Sequence, residues 1–321
     1  MENETTYRVE KCDSKVQWDE FVLDNGGHPL QLWGWGDLKK QYKWQVERFF
    51  IVANDEPIGA VQLLVRKLPK PFSKLLYIPR GPVIVDGHET EVYRELAAHA
   101  SSQYRGAALL VEPDSDTGPE EHPWQLSTQA VLSPSGVILD LSKADGVLRA
   151  GITQEGREAL RIAAEHNLTV KKVSSPEDIA ACLALRNDTD EKRHNDQYYR
   201  DLHDTLGEYS VLFGCWDGEQ LIACVWLLVS EASAFELWSA VNDRGREYRA
   251  EYLLAQEAIR RCKQWGIGRY IMADRLYDAQ ENRPTFSAER YLYAETRVIP
   301  LSWLYPVWRS LMTLRQWFRR R

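Results

Sequence analysis

Cysteine is scarce in this chain, and its spacing lacks the patterns that hold metals or disulfides. The five cysteines are an odd number, and no two of them form a CxxC motif. Structural zinc sites and secreted disulfide scaffolds need such clusters or even sets. We therefore expect free, buried thiols in a protein of a reducing compartment, and no metal site.

Long apolar runs are also absent. No stretch of about 18 apolar residues, the length that suggests a spanning helix, occurs in the chain. The first residues, MENETTYRVEKCD, are acidic and contain no apolar segment of the kind found in secretory leaders. The sequence accordingly favours a cytoplasmic protein that neither spans a membrane nor is secreted.

The signatures of several large enzyme classes are missing as well. The chain contains no GxSxG, HExxH, Walker A or dinucleotide-binding GxGxxG motif. Its net charge is −7 and its pI is near 5.6, so no overall positive field attracts nucleic acid. Any contact with RNA must depend on a local group of basic residues.

Two stretches rich in glycine, proline and aromatic residues stand out from this background. Residues 31–40 read QLWGWGDLKK, and residues 75–83 read LLYIPRGPV. The first predicts a strand-to-helix corner ending in lysines, because glycine loosens a helix start that the tryptophans then anchor. In the second, two prolines fix a rigid turn that holds Arg80 in place. Lys39 and Arg80 are thus candidate ligands of an anionic substrate, although Lys39 is also consistent with a solvated helix lysine.

One order of elements recurs in the two halves of the chain. Each half predicts a hairpin, a short strand, a helix and a further strand, at residues 49–65, 75–78, 91–104 and 107–111 and again at 209–229, 235–241, 252–265 and 269–272. This order resembles the GCN5-related acyltransferase (GNAT) fold. We predict an α/β protein of two duplicated GNAT-like domains, residues 1–141 and 142–321, each a mixed sheet flanked by helices.

A feature expected of acyl-CoA enzymes with this fold is absent. They carry a glycine-rich loop that binds the pyrophosphate of CoA at a helix start. The corresponding stretches, residues 82–90 and 242–251, do not contain it. The acyl donor is therefore predicted not to be acetyl-CoA.

The C-terminal segment is basic and amphipathic. From Thr296 onward it contains six arginines and no acidic residue, and its apolar residues recur at helical spacing. Arginine and tryptophan on such a helix suit an anionic membrane surface. Two other interpretations stay open: a closing helix of the second domain with a solvated basic end, or a helix that contacts tRNA phosphates.

The sequence resembles the FemABX family of peptidoglycan-bridge aminoacyltransferases. The resemblance is carried by LQLWGWGDLKKQYKW, LLYIPRGPV, GVILDLSKADGVLRAG and GREALRIAAEHNLTV, and it extends from about residue 28 to residue 300. It implies a tRNA-dependent aminoacyltransferase that adds an amino acid to the stem peptide of lipid II or UDP-MurNAc-pentapeptide. The implied donor is aminoacyl-tRNA, no cofactor is expected, and we expect a monomer, with its basic helix as a candidate contact to the cytoplasmic membrane face.

The resemblance also implies roles for individual residues. Lys39 matches a position that contacts a substrate phosphate, and Glu112 matches an acidic residue at a strand end that could orient or deprotonate the accepting amine. Arg193 or His194, followed by Tyr198, falls where the family has an arginine and then a tyrosine. Three aromatic residues are candidates for the acceptor-binding cleft: Trp238, Tyr248 and Tyr252.

The chain departs from the family at residues 288–293, AERYLY. Members studied as transferases have a Phe-Lys pair there, and the lysine is thought to stabilise the charge that develops as the amine attacks. Arg290 takes that place here. Arginine can stabilise an oxyanion but cannot give up its proton, so either the chemistry is electrostatic or the activity has diverged. A CoA-dependent N-acyltransferase and a non-catalytic protein that binds muropeptide precursors remain the alternatives.

Overall fold

The computed structural model describes residues 5–127, 129–187, 194–272, 276–281 and 283–319. The chain divides into two compact units. Unit 1 comprises residues 1–134 and 292–321, and unit 2 comprises residues 135–291. Each unit contains a mixed sheet, flanking helices and a buried apolar core of its own. The predicted α/β class with two GNAT-like domains is confirmed.

The elements are numbered in chain order. The first segment of unit 1 contains β1 (Tyr7–Lys11), α1 (Lys15–Asp24), a 3-10 turn (Pro29–Gln31), α2 (Trp33–Gln41), β2 (Gln45–Ala53), β3 (Glu56–Lys67), β4 (Lys74–Pro79), β5 (Val83–Ile84), α3 (Glu89–Gln103), β6 (Ala108–Glu112) and β7 (Gln125–Leu126). Unit 2 contains β8 (Ser135–Asp140), α4 (Asp145–Ala150), α5 (Gln154–Ala164), β9 (Leu168–Val173), α6 (Pro176–Asn187), α7 (Asp196–Leu206), a 3-10 turn (Gly207–Tyr209), β10 (Ser210–Asp217), β11 (Gln220–Val229), β12 (Ser233–Val241), α8 (Asp243–Glu247), α9 (Ala250–Gln264), β13 (Arg269–Met272), β14 (Tyr277–Asp278), β15 (Arg283–Pro284) and β16 (Glu289–Leu292). The chain then returns to unit 1 with β17 (Arg297–Pro300) and α10 (Tyr305–Arg319).

The sheet of unit 1 has the strand order β1-β2-β3-β4-β6-β17-β7, and β5 pairs with β3. Strand β6 reads ALLVE and is buried on both faces. Leu109 and Val111 join the core under α3, whereas Ala108 and Leu110 join the core under α10. A strand that is apolar on both faces must be covered from both sides, which explains why helices flank this sheet on each face.

The central hairpin of unit 1 is formed by β2 and β3. Ala53 pairs with Glu56, so the loop consists only of Asn54 and Asp55. Both loop residues have positive φ, 48° and 70°, as the tight turns that match strand twist require. Asparagine and aspartate tolerate this conformation better than other residues with a side chain. The predicted hairpin is thus fixed locally by its turn chemistry.

The sheet of unit 2 has the strand order β16-β8-β13-β12-β11-β10-β9. Its central strands, β10 and β11, are almost entirely buried. Helix α9 contributes Leu254, Ala258 and Cys262 to the same core as Phe213 and Val225. Each fully buried aliphatic or aromatic side chain stabilises the fold by about 1.5–3 kcal/mol, so helix and sheet depend on each other.

The predicted repeat extends to a local irregularity of the hairpins. In unit 1 the register of β2 and β3 shifts just after the pair Ile51 and Gly59. In unit 2 the register of β10 and β11 shifts just after the pair Cys215 and Ala223. Gly59 and Ala223, which hold matching positions in the predicted repeat, therefore occupy the same place beside a bulge. A Cβ at Gly59 would lie 2.8 Å from Val92, so helix α3 packs there at very close range.

The structure divides the chain differently from the predicted domains, 1–141 and 142–321. The C-terminal helix belongs to unit 1, not to the second domain. Val298 of β17 pairs with Leu110 of β6, and Tyr305 and Trp308 of α10 pack in the core of that sheet. The reason is the open second face of β6, which sequence periodicity cannot assign to a segment almost two hundred residues away.

The helices of both units are short or polar relative to a bilayer span. Within the residues that the structure describes, none of the helices combines the length and the apolar character needed to cross a membrane.

Candidate active site

The first candidate motif lies on helix α2 of unit 1. This helix follows the 3-10 turn Pro29–Gln31, so the predicted strand-to-helix corner is wrong in its first element. The Trp33 backbone N–H donates to Asp19 Oδ1 at 2.7 Å, which satisfies one of the free donors at the helix start. Gly34 and Gly36 lie inside the helix, on its buried side.

A buried arginine fixes helix α2 to the sheet. Arg48 of β2 donates from Nε to Gln62 Oε1 and from Nη2 to the Trp33 carbonyl, both at 2.7 Å. Its guanidinium carbon lies 3.7 Å from the centroid of the Trp33 ring. A Cβ on Gly36 would collide with both Arg48 and Gln62. The second glycine of the motif therefore permits the close approach of helix and sheet.

Lys39, in the last turn of α2, has an unusual environment for a helix lysine. Its Nζ lies 4.1 Å from the centroid of the Trp35 ring. Burial, with a smaller contribution from Arg66, lowers the pKa of Lys39 to about 8. The neighbouring Lys40 is exposed and pairs with Asp37 at 2.9 Å. An ammonium that has lost part of its water beside an aromatic ring is suited to bind an anion, because the anion stabilises its charge.

Arg80 is used inside unit 1. It is buried, has a φ of 47°, and donates from Nη1 to the Pro113 carbonyl at 3.2 Å and from Nη2 to the Ser133 carbonyl at 2.7 Å. Its guanidinium carbon lies 3.4 Å from the centroid of the Tyr293 ring. The tight turn does hold Arg80 in place, as predicted. The contacts favour a structural role, joining three loops, over the predicted contact with a substrate.

Glu112 is likewise enclosed. Its side chain is 3% exposed, and its carboxylate accepts hydrogen bonds from the Val131 and Leu132 amides, from Thr296 Oγ1 and from the Tyr77 hydroxyl. A carboxylate with so many donors is stabilised as an acceptor and is shielded from a substrate amine. The geometry therefore argues against the predicted catalytic role and gives Glu112 the task of joining β4, β6 and the segment before β17.

Several predicted binding residues of unit 2 form one aromatic cluster. His194 stacks on Tyr198 with ring centroids 3.9 Å apart, and Tyr198 contacts Tyr199 edge to face. Trp238 meets Tyr199 edge to face at 6.0 Å, and the guanidinium of Arg186 lies 4.5 Å from the Tyr199 ring centroid. Tyr198 and Trp238 are buried, so they act here mainly as packing residues. The alternative candidate Arg193 lies outside the described residues.

Tyr248 and Tyr252 lie on either side of the start of helix α9. Tyr248 stacks on His166 with ring centroids 3.6 Å apart. Tyr252 is buried, and its hydroxyl donates to Glu155 Oε1 at 3.4 Å. Burial, supported by the charge of Glu155, raises the pKa of Tyr252 to about 12. Only Tyr252 of this pair lines the cavity described next.

Unit 2 contains a cleft at the centre of its sheet. Among the described residues, strand β12 pairs in parallel with β13 through Ser233, Ala234 and Phe235, and β12 continues to Val241. A cavity of about 210 Å³ is lined by residues of β12, β13 and the start of α9.

The cavity contains two residues that sequence reasoning missed. Glu251, in the first turn of α9, and Tyr270, on β13, both line it. Glu251 Oε2 and the Tyr270 hydroxyl are buried, and within the described part of the chain they have no hydrogen-bond partner. Burial raises the pKa of Glu251. A signal was present, because Glu251 stands between Tyr248 and Tyr252 in REYRAEY, where an acyl-CoA enzyme would offer backbone amides to phosphates.

Arg290, the predicted counterpart of the family lysine, lies on β16. It is exposed, and β16 is the edge strand of the unit 2 sheet. Two strand positions separate β16 from β12 across β8 and β13, and Arg290 is not among the residues that line the cavity. Its proposed contact with the reacting atoms stays a prediction.

Two family models match separate parts of the chain. Residues 14–118 match the FemAB family, and residues 148–274 match the acetyltransferase (GNAT) domain. The first range includes α2 with Lys39, and the second includes the cleft of unit 2. The two matches correspond to the two units, apart from the returning C-terminal segment.

Solved structures show the same fold at low sequence identity. The crystal structure of FemX superposes with a TM-score of 0.76 at 15% identity, over 96% of this chain and 99% of that one. A tandem GNAT protein from the clavulanic acid biosynthesis pathway superposes with a TM-score of 0.54 at 14% identity, over 92% and 99% of the two chains. The fold and the cleft of unit 2 thus define a tandem GNAT-fold protein.

Curated relatives are similar to part of the chain in sequence. The lipid II:glycine glycyltransferase of Staphylococcus aureus (strain MRSA252) is 26% identical over 213 residues, which cover 59% of this chain and 50% of the relative. The chain is thus similar to the FemAB family in the sequence of residues 14–118, and it shares the fold of FemX. The chain spans about half the length of the curated relatives it matches.

Proposed function

We propose that this protein transfers an aminoacyl group from an aminoacyl-tRNA to an amine on the stem peptide of a peptidoglycan precursor. Relatives at 26% identity carry the name lipid II:glycine glycyltransferase, which supports lipid II or its nucleotide-linked precursor as the acceptor. The family match over unit 1 supports the same class of substrate.

The observation that carries the proposal is the state of Lys39. Its ammonium is desolvated against Trp35 in the part of the chain that matches the FemAB family. Holding a poorly hydrated cation costs free energy in the unliganded protein, and a phosphate would recover it. Both candidate acceptors, lipid II and UDP-MurNAc-pentapeptide, carry a diphosphate. Lys39 would therefore hold the precursor by this group.

The proposed reaction is an ordinary aminolysis of an ester. The neutral amine attacks the carbonyl carbon of the aminoacyl ester, the C–N bond forms, and the C–O bond to the tRNA ribose breaks. The ribose oxygen takes up one proton and the amine loses one. No cofactor enters this reaction, since positioning of the amine and stabilisation of the oxyanion supply most of the rate. Arg290 is the proposed cation for that oxyanion.

A direct test is a transfer assay with the full chain. Labelled glycyl-, alanyl- and seryl-tRNA are each incubated with lipid II or UDP-MurNAc-pentapeptide, and the product is separated by chromatography. We expect a labelled branched muropeptide with at least one donor. Absence of product with every donor, under conditions in which a lipid II:glycine glycyltransferase is active, would refute the proposal. Binding of muropeptide without turnover would instead identify a non-catalytic precursor-binding protein.

Two controls make this test specific. K39M should raise KM for the precursor at least tenfold and change kcat less, because a ground-state contact is lost. K40M alters an exposed lysine one residue away and should leave both constants unchanged. Acetyl-CoA serves as the competing donor, and acetylation of the precursor would support the CoA-dependent alternative. Glu251 argues against that result, because its carboxylate occupies a helix start where phosphates would need to bind.

We further propose that the C-terminal helix contacts an anionic membrane surface. Trp303 is 84% exposed, and Val307 and Leu311, which follow at intervals of four residues, are about half-exposed. Tyr305 and Trp308 point to the core instead. Six arginines and no acidic residue follow Thr296. An exposed apolar row beside cationic residues suits the headgroup region, where a lipid-linked acceptor would be found.

Vesicle sedimentation tests this contact. The full chain should bind vesicles that contain phosphatidylglycerol and bind less to purely zwitterionic vesicles. A W303S/L311S variant should lose most of its binding to these vesicles. V131S, which replaces an exposed apolar residue elsewhere in unit 1, should bind them as the wild type does. Equal binding of wild type and W303S/L311S would exclude the proposed surface.

A further inference from the structure

The cavity of unit 2 has a polar side. Glu251 Oε2 and the Tyr270 hydroxyl are buried, line the cavity and have no hydrogen-bond partner among the residues that the structure describes. Tyr270 is fully buried, at 0% exposure. Leaving a buried polar group without a partner is unfavourable, so two such groups facing one cavity point to a ligand.

The charge of the cavity defines what that ligand can be. Two carboxylates, Glu236 and Glu251, lie in its lining. Among the described residues of the lining, the cationic one is Arg246, which is half-exposed, pairs with Asp243 at 3.0 Å and donates to the Val241 carbonyl. It is thus already engaged in unit 2. A phosphate or carboxylate ligand would meet repulsion in this cavity, whereas a cation that donates hydrogen bonds would be stabilised.

The remaining walls are apolar and limit the size of the ligand. Val225, Leu254 and Met272 contribute to them. The volume of about 210 Å³ compares with about 150 Å³ for an engineered cavity that binds benzene. Such a space admits a group of a few heavy atoms, not a nucleotide.

We propose that this cavity binds a primary ammonium group on a small stem, with Glu251 and Tyr270 as its hydrogen-bond acceptors. An ammonium has three N–H donors, enough to reach both unpartnered oxygens and one further acceptor. The carboxylate of Glu236, on β12, adds negative charge to the lining. Charge-assisted hydrogen bonds of this type are about twice as strong as neutral ones.

The proposal rests on the proposed function for the natural source of the ammonium. One source is the α-ammonium of the aminoacyl group on the donor, and the other is the ε-ammonium of the acceptor lysine. Both present the same chemistry to the cavity, but their stems differ. An α-ammonium lies beside a carbonyl group, whereas an ε-ammonium ends a flexible four-carbon chain.

Binding of small probes to the full chain separates these sources. The probes are L-alaninamide, Nα-acetyl-L-lysinamide and N-acetyl-L-alaninamide, the last of which has no ammonium, and binding is followed by saturation-transfer NMR and calorimetry. We expect millimolar binding of at least one ammonium probe and none of N-acetyl-L-alaninamide. Preference for alaninamide assigns the cavity to the donor, and preference for the lysine probe assigns it to the acceptor. If neither ammonium probe binds, the inference is wrong.

Three variants connect binding to the cavity. E251Q keeps the shape of the side chain and should lower the affinity for the preferred probe at least tenfold. Y270F should lower this affinity about threefold to tenfold. E247Q changes an exposed glutamate of α8 outside the cavity lining and should have no effect. Equal affinity of E251Q and wild type would overturn the proposal. Because either cavity variant could disturb the core, its melting temperature is measured beside the affinity, and Y270F is the less disruptive of the two.

The transfer assay distinguishes this inference from the proposed function. If probes bind but no aminoacyl-tRNA yields a product, the ammonium site stands and the proposed reaction falls. If transfer proceeds and E251Q leaves the KM for both aminoacyl-tRNA and precursor unchanged, the proposed reaction stands and the ammonium site falls. With both correct, E251Q should raise the KM of the substrate whose probe binds.

Discussion

Replacing Lys39 by methionine should make the unliganded protein more stable while it weakens precursor binding. The pKa of Lys39 is lowered from 10.5 to about 8 because burial removes water from the ammonium. Each pKa unit corresponds to about 1.4 kcal/mol, so the difference of roughly 2.5 units amounts to about 3 kcal/mol against the charged form. Methionine has a similar length, no charge and a thioether that packs well against a ring such as Trp35.

The expected gain is smaller than this upper figure. The contact between the Lys39 ammonium and the Trp35 ring is lost, and such contacts contribute about 1 kcal/mol or more when desolvated. We therefore expect K39M to raise the free energy of unfolding by about 1–2 kcal/mol at neutral pH.

The pH dependence provides an internal check. Between the folded and unfolded pKa values the unfolded chain binds more protons, so the stability of the wild type rises with pH over this range. The advantage of K39M is thus fully present below pH 8 and is lost as the pH rises toward 10.5. Between about pH 7 and about pH 9.5 it should shrink by roughly 2 kcal/mol.

Urea denaturation at these two pH values measures both effects, with K40M as the matched control. Lys40 is exposed and pairs with Asp37, so K40M should change stability by less than about 0.5 kcal/mol. If K39M lowers stability at neutral pH by 1 kcal/mol or more, Lys39 is a structural residue. The inference from its desolvation to anion binding would then be wrong.

Three further predictions concern residues at which sequence and structure disagree or leave a choice. E112Q should lower the free energy of unfolding by about 2–4 kcal/mol, because an amide cannot accept all of the hydrogen bonds that Glu112 receives. Y77F, which removes one of these donors, should lower it by only about 1–2 kcal/mol. Calorimetry measures both effects, and an E112Q variant as stable as the wild type would contradict the structural role. G36A should lower the free energy of unfolding by more than about 1 kcal/mol in denaturant titrations, although alanine has a better helix propensity than glycine. G146A, whose Cβ would meet nothing within 4 Å, should be neutral or stabilising. The reverse order would contradict the packing of α2 on Arg48. In single-turnover transfer assays R290K should retain activity within about tenfold and R290A should lose about 100-fold or more, if Arg290 stabilises the oxyanion; equal rates for both would remove it from the reaction.

Local sequence signals predicted many of the elements well. The strand expected at residues 269–272 has these bounds in the structure, and the helix expected at 91–104 corresponds to α3, Glu89–Gln103. The hairpin at β2 and β3 followed from Asn54 and Asp55, which accept positive φ. These features depend on periodicity and turn chemistry, which are properties of neighbouring residues.

The candidate site was predicted less evenly. Lys39 was chosen from GWGDLK, and the structure gives it the desolvated environment that an anion site needs. Glu112 was chosen from the family resemblance and Arg80 from the rigid turn that holds it, yet both are buried. Glu112 is covered by groups from other segments of the chain, among them the Val131 amide, 19 residues away, and the Thr296 hydroxyl, 184 residues away. Burial by distant segments cannot be read from local residue patterns.

The sequence by itself determined the duplicated order of elements, since hydrophobic spacing and turn residues act over a few positions in each half. Only the tertiary structure decided that β17 and α10 return to the first sheet and that Glu251 and Tyr270 line one cavity of unit 2. Both results depend on which faces of each sheet remain to be covered by segments that are distant in the sequence. Such packing is a property of the whole folded chain, so local residue patterns do not contain it.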